Sequence, residues 1–196
     1  MAVMDNYPSH LKPKADTSGR EKEPFEEWWK RAQPHFKNVP ENVAQYWLYE
    51  HWGQSGYEYL KSADYAFELV PWPADRLTEI LTTWNRFDAD HKNCVTHGRD
   101  LVDDWEFNEP YRTSAYMLEH GDFPAPIVVL DNRDEHINPN TVEFFYQALP
   151  AAYVLMEGHR RFNIALYLHT TKRLKPEVQL WLMTKTPPKR GSRSAP

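Results

Sequence analysis

Cysteine is nearly absent: Cys94 is the only one in 196 residues, so no intramolecular disulfide can form and a reducing compartment is favoured. No run approaches the roughly 20 consecutive apolar residues that a membrane-crossing helix needs, and mean hydropathy is −0.77. The opening Met1-Ala2-Val3 leads into no apolar stretch of the signal-peptide kind, so a soluble, cytoplasmic protein without membrane contact is expected. Net positive charge is lacking as well. The formal charge is −5 at pH 7, which argues against DNA as the default partner while leaving room for a local basic patch. No glycine-rich phosphate loop, zincin helix or strand-borne serine elbow is present, which removes three common catalytic or nucleotide signatures. His91 and His97 flank Cys94 at i−3 and i+3, but zinc needs a fourth ligand and a stable frame, and that stretch offers no clear pattern. No metal site is expected.

Aromatic residues, in contrast, make up 14% of the chain, and five of the eight tryptophans lie between Trp28 and Trp72. Large rings bury much area per residue, which suits a small, irregular helical lobe. A stacking platform for bases is the alternative use of such rings. The length is enough for one compact unit with a sizeable core, read here as two segments.

Residues 1–23 are polar and rich in Lys, Pro, Ser and Asp, and 186–196 form a similar basic tail; both read as disordered or loosely held ends. Between them, 24–121 reads as a helical, aromatic-rich lobe and 122–185 as a more regular domain. In the lobe, the pattern predicts a helix over 24–36, and a second from Pro40-Glu41 with Val43, Tyr46, Trp47 and Leu48 on one apolar side, stopped by Gly53. Residues 66–70 predict a short strand limited by Pro71 and Pro73. A third helix is predicted from near Pro73, with Leu77, Ile80, Leu81 and Trp84 at i, i+3, i+4 and i+7 as its core face. The charged stretch 88–110 reads as a long loop, and 111–120 as a short helix closed by Gly121.

In the C-terminal third, the β-branched run 126–130 predicts a buried strand. A charged loop over 131–140 and a short helix over 141–149 follow. Then come a strand over 152–156, a helix over 158–171 and a strand over 177–183, the elements of a βαβ unit. If its strands share a sheet, the crossover should be right-handed, with the helix start beyond the carboxyl end of the 152–156 strand, where open α/β sheets collect ligands.

That helix start carries an electrostatic puzzle. The sequence Glu157-Gly158-His159-Arg160-Arg161-Phe162 puts three potential cations where a helix already presents about half a positive charge and up to four unpaired N–H groups. An anion among them, most simply a phosphate, would resolve the repulsion. Successive helical residues diverge by about 100°, so one of Arg160 and Arg161 is assigned to phosphate and the other to a carboxylate such as Glu157 or Asp131.

Pro126-Ile127-Val128-Val129, then the stretch 153–165 containing Glu157-Gly158-His159-Arg160-Arg161, then Val178-Gln179-Leu180-Trp181-Leu182, together resemble the ParB/sulfiredoxin superfamily over about residues 123–185. The resemblance implies an α+β fold, a small mixed sheet of that type joined to the helical, tryptophan-rich N-terminal lobe. It also implies nucleotide binding, since ParB proteins use the turn for CTP, sulfiredoxins for ATP and some free-amino-acid kinases for ADP or ATP. Gly158, His159, Arg160 and Arg161 thereby become phosphate candidates, with glycine allowing close backbone approach and guanidinium gripping phosphate bidentately. Asn163, about one turn further, is a candidate for ribose or phosphate, or equally a polar helix surface residue.

Two departures narrow the reading. Sulfiredoxins carry a cysteine directly after the turn glycine, where this chain has His159, so thiol-based repair is not expected. ParB partition proteins continue into a DNA-binding segment, whereas about a dozen residues follow the last predicted strand here, so DNA clamping is not expected either. For chemistry, Asp131, Asp134 and Glu135 would reach the turn if their strand lies adjacent and parallel to the next. They could then hold Mg²⁺ through water or act as a general base, and Glu157 could take either role or cap the turn. His51-Trp52-Gly53-Gln54-Ser55-Gly56-Tyr57 is a second oddity, either a helix stop or a substrate-facing edge. The expected function is a nucleotide-binding or regulatory module, taking ATP or CTP with or without Mg²⁺, with a protein partner engaged through the aromatic lobe. The alternatives are a phosphotransferase or nucleotide hydrolase using Asp131 or Glu157, and an interaction protein with a degenerate pocket.

Overall fold

The computed structural model describes residues 8–15, 22–52, 60–103, 112–137 and 149–186. Residues 141–148 of the expected helix, the stretch 53–59 and the tail beyond 186 lie outside them. The architecture is α+β. Five strands, β1 (Tyr65–Pro73), β2 (Ile80–Leu81), β3 (Ile127–Asp131), β4 (Tyr153–Glu157) and β5 (Glu177–Lys185), form one mixed sheet in the order β1-β5-β3-β4-β2.

Alternation along the central strands builds two cores, because successive strand residues face opposite sides. Val128, Leu130, Val154, Met156 and Met183 face the aromatic lobe. Ile127, Val129, Tyr153, Leu155, Val178 and Leu180 face a helical layer. The lobe comprises α1 (Phe25–Ala32) and α2 (Glu41–Val43), which continues as a π-helical segment (Ala44–Tyr49). Its rings pack mainly on one another: Phe25 lies 6.1 Å from Trp29 and 5.5 Å from Tyr49, centroid to centroid. Trp28, Trp29 and Trp47 are all buried. Residues 8–15, expected as part of a loose terminus, are anchored in this lobe. Leu11 is buried, and its carbonyl accepts from Trp28 Nε1 at 2.7 Å, the partner a buried indole N–H needs.

Several expectations change. The periodic set Leu77, Ile80, Leu81 and Trp84 does not form a helix. It is divided among a 3₁₀ turn (Ala74–Glu79), β2 and a second 3₁₀ turn (Thr83–Asn85). Parallel pairing of Ile80 with Tyr153 and Leu81 with Val154 holds those two residues extended, so tertiary contact overrides a helical spacing. β1 does not stop before Pro71 but runs through both prolines to pair antiparallel with β5 along its whole length. It is an edge strand, where a missing N–H need not cost a ladder bond.

The expected loop over 88–110 contains a helix, α3 (Lys92–Asp103), and α4 (Arg112–His120) follows and ends at Gly121 with φ +61°. Segment 24–121 therefore supplies two strands of the sheet and helices on both its faces. The expected βαβ crossover is also absent. β3 sits between β4 and β5, antiparallel to one and parallel to the other, so β4 and β5 run in opposite directions. The helix between them, α5 (His159–Thr170), joins antiparallel strands, to which the handedness rule does not apply.

α3 packs against α5 at a point where only glycine fits. A Cβ on Gly98 would lie 2.0 Å from the Asn163 carbonyl oxygen. Helix propensity alone favours alanine by about 1 kcal/mol. The backbone contact predicts the opposite sign: Gly98→Ala should destabilise by about 1–3 kcal/mol, read from the urea midpoint.

Candidate functional site at the β4–α5 turn

The turn begins with a register shift. Val129 pairs with Leu155 but Val128 pairs with Glu157, so one extra residue of β4 is accommodated there. Directly paired residues share a face, and Val128 faces the aromatic lobe. The bulge therefore turns Glu157 toward the lobe, the re-aiming that bulges commonly perform. Gly158 follows at φ +94°, and a Cβ there would lie 2.6 Å from Ile127 Cγ2. Both the left-handed backbone and the close approach require glycine. Gly158 is the N-cap of α5, and no side chain among the described residues caps the helix.

The three basic residues meet different fates. Arg161 is buried, its Nη1 donates to the Ala125 carbonyl at 2.8 Å, and its Nη2 donates to Glu157 Oε2. Its guanidinium also lies 5.6 Å from the centre of the Tyr46 ring. Burial pushes the Glu157 carboxyl upward, while Arg161 and the Gly158 N–H pull the other way. His159 is stacked on Trp84 with centroids 5.0 Å apart and planes at 23°. Burial, with His51 adding to it, pushes His159 down to about 4, so its imidazole is neutral at pH 7. Arg160 alone of the three is exposed.

Residues distant in sequence complete the surroundings. His51 Nε2 lies 4.0 Å from Glu157 Oε1, and burial lowers the His51 pKa. The exposed Tyr46 and Trp84, and His97 edge-on to Trp84 at 5.5 Å, border the same turn. His51 was legible as an oddity of sequence. Trp84 was not, because its spacing matched a helical core face.

Other expected site residues lie elsewhere. Asp131 pairs with Tyr153, at the opposite end of β4 from Glu157, because β3 is antiparallel to β4 rather than parallel. Its carboxylate accepts from Arg133 Nε and Nη2 at 2.8 and 2.7 Å, and Arg133 holds its pKa below the usual value. Asn163 is not a helix-surface residue: it is 2% exposed, its backbone carbonyl meets Gly98, and its Oδ1 is buried with no hydrogen-bond partner among the described residues. Among the described residues, no group of three or more metal-ligating side chains occurs, and no helix is long and apolar enough to cross a membrane. No family model, curated protein or solved structure matches the chain.

Two predictions follow from this geometry. Removing one member of a buried ion pair strands the other, so Arg161→Leu should destabilise the fold by about 3–5 kcal/mol, more than Arg160→Ala does at its exposed position. Denaturant titration of both variants checks this. His159 has a folded pKa of about 4 against an ordinary 6.5, so the unfolded chain takes up its proton first. That favours unfolding as pH falls from 6.5 toward 4, by at most about 3 kcal/mol. In an NMR titration the His159 ring signals should not move above pH 5, and a midpoint near 6.5 would refute the assignment.

Proposed function

We propose that the chain is a nucleotide-binding module of ParB/sulfiredoxin type, whose 157–161 turn receives the phosphates of ATP or CTP. The observation that carries the proposal is the start of α5: a helix of 12 residues opens at a left-handed glycine with no side-chain cap and an exposed arginine in its first turn. Such a terminus offers N–H groups and a positive dipole end to an anion. The order of strand, Gly-His-Arg turn, helix and strand adds the resemblance. Arg160 is the phosphate-gripping residue in this reading, and Arg161 is the one committed to a carboxylate.

Binding is favoured over phosphoryl transfer or hydrolysis because neither expected catalytic carboxylate stands ready. Glu157 is tied to Arg161, and Asp131 lies at the far end of β4 in contact with Arg133. Mg²⁺, where it takes part, would arrive on the nucleotide rather than on Asp131. A protein partner at the aromatic lobe would meet the exposed Tyr46 and not the buried Trp28, Trp29 and Trp47. One observation favours the competing reading of an interaction protein without a ligand: Arg161 already has the Glu157 carboxyl as its partner at this turn.

Calorimetric titration with ATP, ADP, CTP and GTP, each with Mg²⁺, separates the two. At least one nucleotide should bind the native chain, and Arg160→Ala, folded normally, should weaken it about tenfold or more. Absence of binding by all four at millimolar concentration would sink the nucleotide reading and leave the interaction protein.

A further inference from the structure

We infer that Trp84 is the stacking platform for the base of the nucleotide, a role that rests on the reading of the 157–161 turn as its phosphate site. Trp84 is 51% exposed, more than any other large hydrophobic among the described residues. An indole left half in water forgoes the burial that otherwise makes tryptophan a core residue.

The ring is nevertheless held in place. One face lies on the imidazole of His159, the residue directly after Gly158. His97, from α3, meets it edge-on at 5.5 Å. Two histidines from separate elements thus fix an exposed ring at the mouth of the proposed phosphate turn. His159 Nε2 is buried with no hydrogen-bond partner among the described residues, so the imidazole serves this position as a flat support.

The loop that carries Trp84 is built at some cost. Arg86 and Phe87 occupy consecutive left-handed conformations, φ 51° and 57°, where a bulky residue is uncommon and strained. Buried Asn85 holds the turn together, its Nδ2 donating to the carbonyls of Asp88 at 3.0 Å and Asp90 at 2.7 Å. Thr82, fully buried, anchors it from the other side: its carbonyl accepts from the N–H groups of Asn85 and Phe87, and its hydroxyl from Trp84 N at 3.3 Å. Strain of this kind persists where the surroundings over-determine it and clusters at ligand clamps.

A rigid aromatic ring held by His159 and His97 and left half exposed to solvent is what a nucleobase stacks on. Every base has a π-face, so such a contact tolerates either a purine or a pyrimidine. Position joins the two subsites: Trp84 lies over His159, between Gly158 and Arg160 in the chain. One ligand carrying phosphate and a planar base would therefore span both.

The test compares pyrophosphate, ADP and CDP on the native chain, Trp84→Phe and Trp84→Leu by calorimetry, with urea midpoints confirming that each variant is folded. Phenylalanine keeps a π-face and leucine keeps apolar bulk without one. ADP and CDP should bind Trp84→Leu about tenfold more weakly than the native chain and Trp84→Phe nearly as well as native, while pyrophosphate binding should change less than twofold in either. If leucine weakens pyrophosphate and the nucleoside diphosphates equally, Trp84 shapes the turn and stacks no base. If it weakens none of them, the ring is idle. Pyrophosphate bound without any gain from the base overturns the stacking role but spares the phosphate site. No binding of any of the three to the native chain removes both.

Discussion

A carboxylate and a guanidinium, their side chains 11% and 10% exposed, meet where β4 passes into α5, and the geometry of the turn is arranged around that contact. Glu157 points to the lobe because a bulge shifts it there. Gly158 must be glycine because Ile127 occupies the space of a Cβ. Arg161 reaches back across the first helical turn to Glu157 and forward to the Ala125 carbonyl just before β3. A buried ion pair adds little net stability, since desolvation offsets its attraction. Its effect here is selective: alternatives without the bulge or with a different helix start would strand a buried charge.

The same pair rewrites the electrostatics of the turn. Three adjacent basic residues at a helix N-terminus would repel it if all were charged and open to water. Instead Arg161 has its counter-charge inside the protein, and His159 is kept neutral by burial. The repulsion that called for an external anion is largely settled by internal means, and the proposed ligand rests on the helix terminus itself. A phosphate at this terminus would still be stabilised, but the fold does not need one to exist.

The strands of the C-terminal third were readable because continuous β-branched runs such as Ile127-Val128-Val129 have few other destinations. α3 was not, because it owes its place to an absence of side chain at Gly98, which apolar periodicity cannot register. Trp84 was misread for a related reason: Leu77, Ile80 and Leu81 share its helical spacing, and nothing local reveals that β4 recruits Ile80 and Leu81 as a strand. Strand direction was the costliest gap. Both the adjacency and the direction of β3 and β4 stay open in the sequence, because the long connection between them fits either orientation. The antiparallel one carries Asp131 to the wrong end of the sheet.

That single reversal decides what kind of chemistry the turn can support. A reaction on a bound nucleotide needs a carboxylate that is close to the phosphates and free to accept a proton. Asp131 fails on position, and Arg133 lowers its basicity further. Glu157 is close enough but gives one oxygen to Arg161 and presents the other to His51 at 4.0 Å. Each candidate base has been claimed by a cation that serves the fold. The turn also presents a helix N-terminus, the exposed Arg160 and the exposed Trp84, groups that in the proposed reading would hold a ligand through charge and stacking without a proton to move. Such a set argues for recognition, with the bound state itself as the output.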